Sequence, residues 1–379
     1  MRILIGAESF IPRSNGVTNS VARTIRFLTA AGHQVLIVAP GDGPTDFEGL
    51  PVIRIPAISL KSWATVDISA VTVGRLIKII SEFKPDVIHL ASPFLLGAQI
   101  RKAANRLDVP TVAVYQTDVS GFASFYGLSV AKNIGDARIY RIHRKADLTL
   151  SPSTDSTHYL EGLGIQRIRH WGRGVDLEQF NPAWRSNDLR KSWGADRETC
   201  VIGFVGRLAP EKQVEKLCAL AGLDYLSEVK SRIVIVGSGP SAEKIAEKLT
   251  DAHFTGQLHG DELSRAIASF DILVTTGENE TFCQVVQEGM AARVPVVAPK
   301  SGGPIDLITH GVDGFLYEPG DVFSLRKYVL KLMRDKELSE YIAQSGYEKV
   351  QTRTWTEVCG ELLGHYQEAI FNRENREVS

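Results

Sequence analysis

The chain has 379 residues, of which 44% are apolar and 23% charged, and its formal net charge is −1 at pH 7. This length suits two domains, and the composition is that of a folded globular protein, which excludes a disordered or fibrous chain. No apolar run is long enough to span a bilayer, and the sequence enters a predicted strand without a leader, so we expect a cytoplasmic protein. The four scattered cysteines predict reduced thiols.

Charge is distributed unevenly between the two halves of the chain. Residues 1–173 contain 20 Lys and Arg against 13 Asp and Glu, whereas residues 174–379 contain 23 against 31. A basic first half suits an anionic membrane surface or an acidic acceptor. Chance scatter of charge between two lobes is the alternative.

Short apolar strands alternate with longer helices through the first half. The strands are predicted at residues 3–7, 35–39, 52–55, 87–90 and 111–115, and the helices at about 14–31, 71–83 and 93–107. This alternation predicts parallel β-α-β winding with helices on both faces of a sheet.

The stretch 172–182 is rich in turn residues and marks a boundary, after which a second β-α-β series begins. The last predicted helix carries Val358, Leu362 and Tyr366 on one side and is expected to pack back toward the first domain. The predicted organisation is therefore a first domain at 1–173, a linker at 174–199, a second domain at 200–355 and a C-terminal helix at 356–379.

Four polar or glycine-rich loops follow predicted strands of the second half, at residues 206–212, 237–240, 277–288 and 300–304. Open α/β sheets bind ligands at the carboxyl ends of their strands. A helix is predicted from Thr281 onward, and its free N–H groups suit a diphosphate. Glu280 and Glu288 would then lie roughly 9 Å apart along the helix axis. This spacing suits a nucleotide sugar, although two glutamates on a solvated helix face are the alternative.

The chain resembles the retaining GT-B glycosyltransferases of family 4. The motifs are Gly-Arg-Leu-x-x-Glu-Lys at 206–212, Gly-x-Gly-Pro at 237–240, Glu-x7-Glu at 280–288, Gly-Gly at 302–303, Gly-Val-Asp…Phe-x-Pro at 174–182 and Asn-Gly-Val at 15–17. Residues 280–284 and 116–118 are similar to those of actinobacterial GDP-mannose-dependent α-mannosyltransferases that act on glycolipids. The resemblance implies an α/β fold of two doubly wound Rossmann-like domains facing across a cleft, with the C-terminal helix returning to the N-terminal domain.

The resemblance also implies roles for particular residues. Arg207 and Lys212 would hold the donor diphosphate and stabilise the charge on the leaving group, so that no metal ion or other cofactor is required. Glu280 would bind the donor sugar and Glu288 the ribose. The remaining residues expected at the donor are Gly16, Gly239, Leu258, His259, Thr281, Phe282 and Cys283.

Structural alternatives stand beside several of these roles. Gly16 could be an ordinary turn glycine, and Arg207 and Lys212 could form a surface pair with Glu211. Cys283 is expected to be a small packing residue, and its place at a helix start predicts a lowered thiol pKa.

The catalytic candidates of the first domain are Gln116 and Asp118. Many family members have His where this chain has Gln116, and because an amide cannot transfer protons, its expected role is a hydrogen bond to the donor sugar. Asp118 is the best candidate for contacting the acceptor or the sugar. A retaining enzyme without an obvious protein nucleophile fits front-face substitution, in which the leaving phosphate takes the acceptor's proton.

A basic and aromatic segment follows Asp118 and resembles a helix that lies on anionic lipid. An ordinary exposed helix covering the sheet is the alternative. The expected membrane or acceptor residues are Lys61, Trp63, Phe122, Phe125, Tyr126, Arg138, Arg141, Arg144 and Lys145.

These features predict a peripheral enzyme of the inner face of the plasma membrane that transfers mannose from GDP-mannose to a glycolipid, with no nucleic-acid partner. A UDP-sugar donor or a soluble acceptor is the alternative within the same chemistry. A nucleotide-sugar epimerase or a two-lobed binding protein is the alternative from another class.

Overall fold

A computed structural model of the protein describes residues 1–13, 15–59, 67–69, 71–116 and 129–375. The chain forms two compact units. Unit 1 comprises Met1–Arg173 and Trp355–Ser379, and unit 2 comprises Gly174–Thr354. Residues 174–199, assigned from the sequence to a linker, thus belong to unit 2.

Unit 1 contains a mainly parallel sheet whose central strands are buried on both faces. Its described strands are β1 (Arg2–Ala7), β2 (Gln34–Pro40), β3 (Asp46–Phe47), β4 (Leu50–Ile55), β7 (Val87–Ala91), β8 (Thr111–Val114), β9 (Leu148–Ser151) and β10 (Ile168–His170), in the order β10-β9-β8-β7-β1-β2-β4-β3. Only β3 pairs antiparallel among them, with β4. A separate ribbon pairs β5 (Ala57–Ser59) with β6 (Asp67–Ser69). Burial on both faces explains why the central strands of the sheet are continuous apolar runs in the sequence.

Helices connect the strands of this sheet, and polar caps begin several of them. The Asn15 side chain accepts from Thr18 N at 2.9 Å, and Thr72 and Ser153 cap the second and fifth helices in the same way. The predicted strands and helices of the first half are present, with ends displaced by a few residues. The helices are α1 (Gly16–Ala30), α2 (Val73–Phe83), α3 (Leu96–Arg106), α4 (Ser129–His143) and α5 (Thr154–Gly162).

Unit 2 contains a second parallel sheet. Its described strands are β11 (Cys200–Val205), β12 (Ser231–Val236), β13 (His253–Gly256), β14 (Ile272–Val274), β15 (Val296–Pro299) and β16 (Phe315–Tyr317), in the order β13-β12-β11-β14-β15-β16. In each sheet the winding direction reverses beside the first strand, between β1 and β7 and between β11 and β14. Ligands bind open α/β sheets at this switch point.

The helices of unit 2 cover both faces of its sheet. They are α6 (Asn187–Ser192), α7 (Leu223–Ser227), α8 (Ala242–Ala246), α9 (Gly260–Ala268), α10 (Gln284–Ala291), α11 (Pro304–Leu307), α12 (Val322–Arg334) and α13 (Lys336–Val350), with 3-10 segments at Pro182–Trp184, Pro210–Lys212 and Val214–Leu220.

Residues 174–199 belong to unit 2 because their side chains complete its core. Trp193 is buried, with its ring centroid 5.8 Å from that of Phe270. Arg190 is also buried and donates to Asp271 at 2.8 Å, to Ser269 O at 2.9 Å and to Thr199 O at 2.7 Å. A buried guanidinium is stable when it is paired and hydrogen-bonded in this way.

The C-terminal helix, α14 (Trp355–Glu374), packs on unit 1, as predicted. Val358, Leu362 and Tyr366 are fully buried in a cluster with side chains of β1, α1 and β7. Two polar contacts fix the helix: Trp171 Nε1 donates to Val358 O at 2.8 Å, and the Tyr366 hydroxyl lies 2.8 Å from His89 Nδ1. The chain therefore completes the core of unit 1 with its last helix.

Two buried histidines of unit 1 predict acid lability. Burial lowers the pKa of His89 to about 4 and that of His143 to about 3, from an ordinary value of 6.5. As the pH falls below 6.5 the unfolded chain binds protons that the native state excludes, so stability decreases between pH 6.5 and about 4. At pH 5 we expect a loss of about 2 kcal/mol per histidine.

Urea unfolding at pH 7.5 and pH 5.0 measures this effect. The variant carrying His89→Gln and His143→Gln should lose less stability on acidification than the natural protein. Equal losses in both proteins would refute the assignment to these histidines.

Candidate functional site

Two loops at the carboxyl edge of unit 2 interlock through their backbones. The loop after β11 and the loop after β12 are joined by hydrogen bonds from Leu208 N to Ser238 O at 2.9 Å and from Ser241 N to Leu208 O at 2.8 Å. Gly237 has φ +143°, and a Cβ there would lie 1.9 Å from Gly206 O. The Gly-x-Gly-Pro motif therefore has a packing role, because only glycine permits this approach. A Cβ on Gly239 would lie 2.3 Å from Leu208 O, and the contact of Gly239 with a donor stays a prediction.

Lys212 and Glu280 meet between β11 and β14. The Lys212 ammonium forms an ion pair with the Glu280 carboxylate, and both side chains are half-buried. Thr276 Oγ1 donates to Lys212 O at 2.7 Å and fixes the backbone of this lysine. Burial alone lowers the pKa of Lys212, but Glu280 more than offsets this effect and raises the pKa overall. The positively charged ammonium of Lys212 therefore lies at the switch point of the sheet.

Arg207 lies at the end of β11 and pairs with Glu211. The Glu211 side chain is buried, whereas the Arg207 side chain is 53% exposed. The pairing with Glu211 considered from the sequence is therefore present for Arg207, while Lys212 pairs with a different carboxylate. An exposed guanidinium that is anchored on one side can still bind an anion from solvent.

The helix after β14 begins later than predicted. It starts at Gln284 rather than Thr281, and Cys283 precedes it in the left-handed conformation with φ +69°. Glu288 consequently lies about one turn inside the helix, roughly 6 Å along its axis from the start. The sequence misled because Phe282 is buried like a helical apolar residue although it lies in the loop. The turn and the N–H groups at the start of the helix are still a suitable anion site.

The expectation of a lowered Cys283 pKa is wrong. The side chain is buried, and this burial, with the nearby Glu280 carboxylate, raises the thiol pKa far above its ordinary value. The predicted role of Cys283 as a packing residue agrees with its place in the hydrophobic core of unit 2.

The loop after β15 packs against the backbone of residues 280–283. Gly303 N donates to Glu280 O at 2.7 Å. A Cβ on Gly302 would lie 2.3 Å from Glu280 O, and a Cβ on Gly303 would lie 2.1 Å from Phe282 O. The Gly-Gly pair therefore permits close contact between two backbones.

We expect Gly303→Ala to destabilise unit 2 by about 1–3 kcal/mol, because the added methyl group would displace the backbone of Phe282. Gly162→Ala is the matched control, since a Cβ there meets nothing within 4 Å. Urea unfolding of the two variants measures the difference. A Gly303→Ala protein as stable as the control would contradict this expectation, because it would show that the backbone of the loop moves aside without loss of stability.

The other predicted donor residues are spread over both units. In unit 2, Thr281 and Glu288 are half-buried, Leu258 packs partly against the core, and His259 is exposed just before α9. In unit 1, Gly16 is the first residue of α1. Their contacts with a donor stay predictions.

Arg173 is a residue that the sequence analysis missed, and it touches two predicted positions of unit 1. Its Nη2 donates to Gln116 Oε1 at 3.2 Å, and its Nη1 lies 3.0 Å from the point that a Cβ of Gly16 would occupy. Gln116 is buried two residues after the end of β8. The sequence feature that indicates Arg173 is its position in the Gly-Arg-Gly turn at the end of the first domain.

Glu8 is a second residue that was missed. It follows β1 at the switch point of unit 1 and is buried, and its Oε1 accepts from Phe94 N at 2.6 Å and from Gly97 N at 2.8 Å at the start of α3. Burial raises the pKa of this carboxyl, although these hydrogen bonds oppose the effect. A charged residue directly after a central strand was the available signal.

The predicted membrane residues divide into three groups. Arg141, Arg144 and Lys145 are exposed at the end of α4 and in the turn after it. Arg138 instead points inward, because its Nε donates to Phe94 O at 2.8 Å and its guanidinium lies 5.0 Å from the centroid of the Phe94 ring. The remaining predicted residues, together with Asp118, lie outside the described part of the chain: Lys61, Trp63, Phe122, Phe125 and Tyr126.

Among the residues that the structure describes, no helix combines the length and apolar character needed to cross a bilayer.

Sequence comparison matches two family profiles to the two halves of the chain. Residues 14–179 match "Glycosyltransferase Family 4", and residues 185–349 match "Glycosyl transferases group 1". A GDP-mannose-dependent alpha-mannosyltransferase of Mycolicibacterium smegmatis is 44% identical over 99% of this chain and 100% of its own. This chain belongs to glycosyltransferase family 4. A Corynebacterium glutamicum protein of the same description is 42% identical to this glycosyltransferase over 98% of the chain and 89% of its own.

More distant similarities agree with the assignment. A GDP-mannose-dependent alpha-(1-6)-phosphatidylinositol dimannoside mannosyltransferase of Mycobacterium tuberculosis is 25% identical to this family-4 glycosyltransferase over 82% of each chain. Among solved structures, Anabaena HepE in complex with UDP superposes with a TM-score of 0.76 at 20% identity, covering 97% of this chain and 100% of that one. The predicted GT-B fold, with its two Rossmann-like sheets, is confirmed.

Proposed function

We propose that this glycosyltransferase transfers mannose, with retention, from GDP-mannose to a lipid-linked acceptor. The observation that carries the proposal is the charged Lys212 at the switch point of unit 2, next to Arg207 and to the start of α10. Two cations and the N–H groups at the start of a helix suit a diphosphate better than a neutral ligand. The GDP-mannose dependence that names relatives 42–44% identical to this chain supports the choice of donor.

Donor binding would rearrange the ion pair seen in the structure. The Lys212 ammonium leaves Glu280 and pairs with the diphosphate. The Glu280 carboxylate then accepts a hydrogen bond from a hydroxyl of the mannose. Glu288 accepts from the ribose hydroxyls. This exchange costs little because each charged group leaves one partner for another of opposite charge or of strong hydrogen-bonding capacity.

Transfer would proceed on one face of the sugar. The bond between the acceptor oxygen and the anomeric carbon forms on the face from which the bond to the β-phosphate oxygen breaks, and the acceptor's proton passes to that departing oxygen. Arg207 and Lys212 stabilise the negative charge that builds on the phosphate. We propose that these cations make a divalent metal unnecessary, in which case EDTA leaves the rate unchanged.

Unit 1 would bind the acceptor. Its excess of basic residues and the exposed Arg141, Arg144 and Lys145 suit an anionic membrane surface. A relative named for phosphatidylinositol dimannoside supports a glycolipid acceptor. The proposed location is peripheral, on the inner face of the plasma membrane.

Thermal unfolding in the presence of nucleotides tests the donor. A ligand at 100 times its dissociation constant stabilises the protein by about 2.7 kcal/mol. We expect GDP-mannose and GDP to raise the midpoint more than UDP-glucose and UDP at equal concentration. A larger shift with the uridine compounds would indicate a UDP-sugar donor in place of GDP-mannose; UDP is the nucleotide in the HepE structure.

Flotation with vesicles tests the acceptor surface. The protein should float with vesicles containing anionic lipid and remain in solution with neutral vesicles, and Arg141→Glu with Lys145→Glu should abolish the difference. Full activity on a soluble glycoside without flotation would favour a soluble acceptor.

A further inference from the structure

A second ion pair lies next to the pair of Lys212 and Glu280. The Lys216 ammonium pairs with the Glu278 carboxylate, and the two side chains are 16% and 20% exposed. The lysines belong to the adjacent 3-10 segments Pro210–Lys212 and Val214–Leu220, and the glutamates belong to the loop after β14. The two pairs thus join the same two stretches of chain at neighbouring points.

The Glu278 carboxylate is a junction between several loops. Besides Lys216, it accepts from Gln213 Nε2 at 3.2 Å and from Gly320 N at 2.7 Å. Burial alone raises the pKa of Glu278, but these three donors more than offset it and lower the pKa overall, so the carboxylate stays charged at neutral pH. One side chain therefore connects the loops that follow β11, β14 and β16.

The backbone around Glu278 is fixed as well. Ser301 Oγ donates to Glu278 O at 2.7 Å, which adds the loop after β15 to the junction. The Tyr317 hydroxyl donates to Thr275 O at 3.1 Å. At Gly277 a Cβ would lie 2.9 Å from Glu280 Oε1, so the loop has little room to move. The position of the Glu280 carboxylate is consequently determined by its neighbours on both sides.

We propose that Glu278, held by Lys216, is a positioning residue for the donor site, a role that rests on the proposed function. In the structure two ion pairs hold the loop after β14 against residues 210–220. When Lys212 binds a diphosphate instead of Glu280, the ion pair of Glu278 and Lys216 still holds the loop. This pair keeps Glu280 at the correct distance from the sugar. Glu278 acts through Glu280 and Lys212 and does not touch the donor itself.

Glu278→Gln tests this role in the full-length enzyme, with hydrolysis of GDP-mannose as the assay. Glutamine keeps the size of the side chain but removes the charge that pairs with Lys216. We expect kcat/KM for GDP-mannose to fall about 10- to 100-fold, because a small displacement of Glu280 is sufficient for such a loss. Glu278→Asp should recover part of the activity, since it restores the charge.

Glu318→Gln is the matched control. It breaks the pair of Lys300 and Glu318, in which both side chains are more than half exposed. This variant should retain the kcat/KM of the natural enzyme. Thermal unfolding of every variant shows that the proteins being compared are folded at the assay temperature.

The outcomes separate this inference from the proposed function. If the natural enzyme hydrolyses GDP-mannose and Glu278→Gln has the same kcat/KM with only a lower unfolding midpoint, Glu278 is merely structural and the inference is wrong. If the natural enzyme neither binds nor hydrolyses GDP-mannose, the proposed function fails, and the inference fails with it.

Discussion

Replacing Lys212 with alanine is expected to lower the rate of mannosyl transfer by about 10²- to 10³-fold, the usual effect of removing one preorganised group that stabilises transition-state charge. The substitution also leaves the half-buried Glu280 carboxylate without its cation, so that a negative charge would face the incoming diphosphate. Both effects act in the same direction, which makes this the largest change expected from a single substitution in the site.

Two further proteins separate the causes. Lys212→Met combined with Glu280→Gln removes the cation and the carboxylate together, so that no unpaired charge faces the diphosphate, and any remaining loss of donor affinity reports the missing contacts of the two side chains with phosphate and sugar. Lys244→Ala removes an exposed lysine of unit 2 that pairs with Glu215, and it should be fully active. Steady-state kinetics with GDP-mannose compares the three. Near-normal activity of Lys212→Ala would contradict the assigned role.

Replacing Tyr366 with alanine is expected to destabilise unit 1 by about 3–5 kcal/mol, as is usual for a large aromatic side chain removed from a core. Tyr366 is fully buried, and its loss would also remove the hydroxyl that contacts His89 Nδ1. The effect should extend over unit 1, because α14 packs against α1 and the sheet of that unit.

One further substitution at Tyr366 and one at another aromatic residue of α14 provide the comparison. Tyr366→Phe keeps the ring and removes only the hydrogen bond, and should cost about 1 kcal/mol. Phe371→Ala removes an aromatic side chain that is 64% exposed, and should change stability by less than about 0.5 kcal/mol. Hydrogen exchange in urea, followed separately in each unit, measures the loss of stability that each of the three substitutions causes. Equal effects of Tyr366→Ala and Phe371→Ala would show that α14 is not part of this core.

The sequence predicted the features that depend on local apolar patterns. Strands such as β1 and β14 are continuous apolar runs because both faces of each sheet are covered, and the side of α14 that carries Val358 and Leu362 is buried as expected. The loops that carry Arg207 and Lys212 could be placed because loops after parallel strands gather at one edge of a sheet.

Features that depend on side-chain direction could not be predicted in this way. The apolar period does not show that Cys283 adopts the left-handed conformation, so the sequence pattern alone predicts the start of α10 too early. Arg138 occurs among exposed cations in the sequence, yet it turns inward to Phe94, a partner distant along the chain. The junction at Glu278 joins four loops and has no local signal beyond a glutamate in a turn.

A crystal structure with bound GDP-mannose tests the central claim most directly. We predict that oxygen atoms of the diphosphate lie about 3 Å from Lys212 Nζ and from backbone N–H groups at the start of α10, with Glu280 released from Lys212 onto the mannose. Donor bound elsewhere, with the pair of Lys212 and Glu280 intact, would contradict the account.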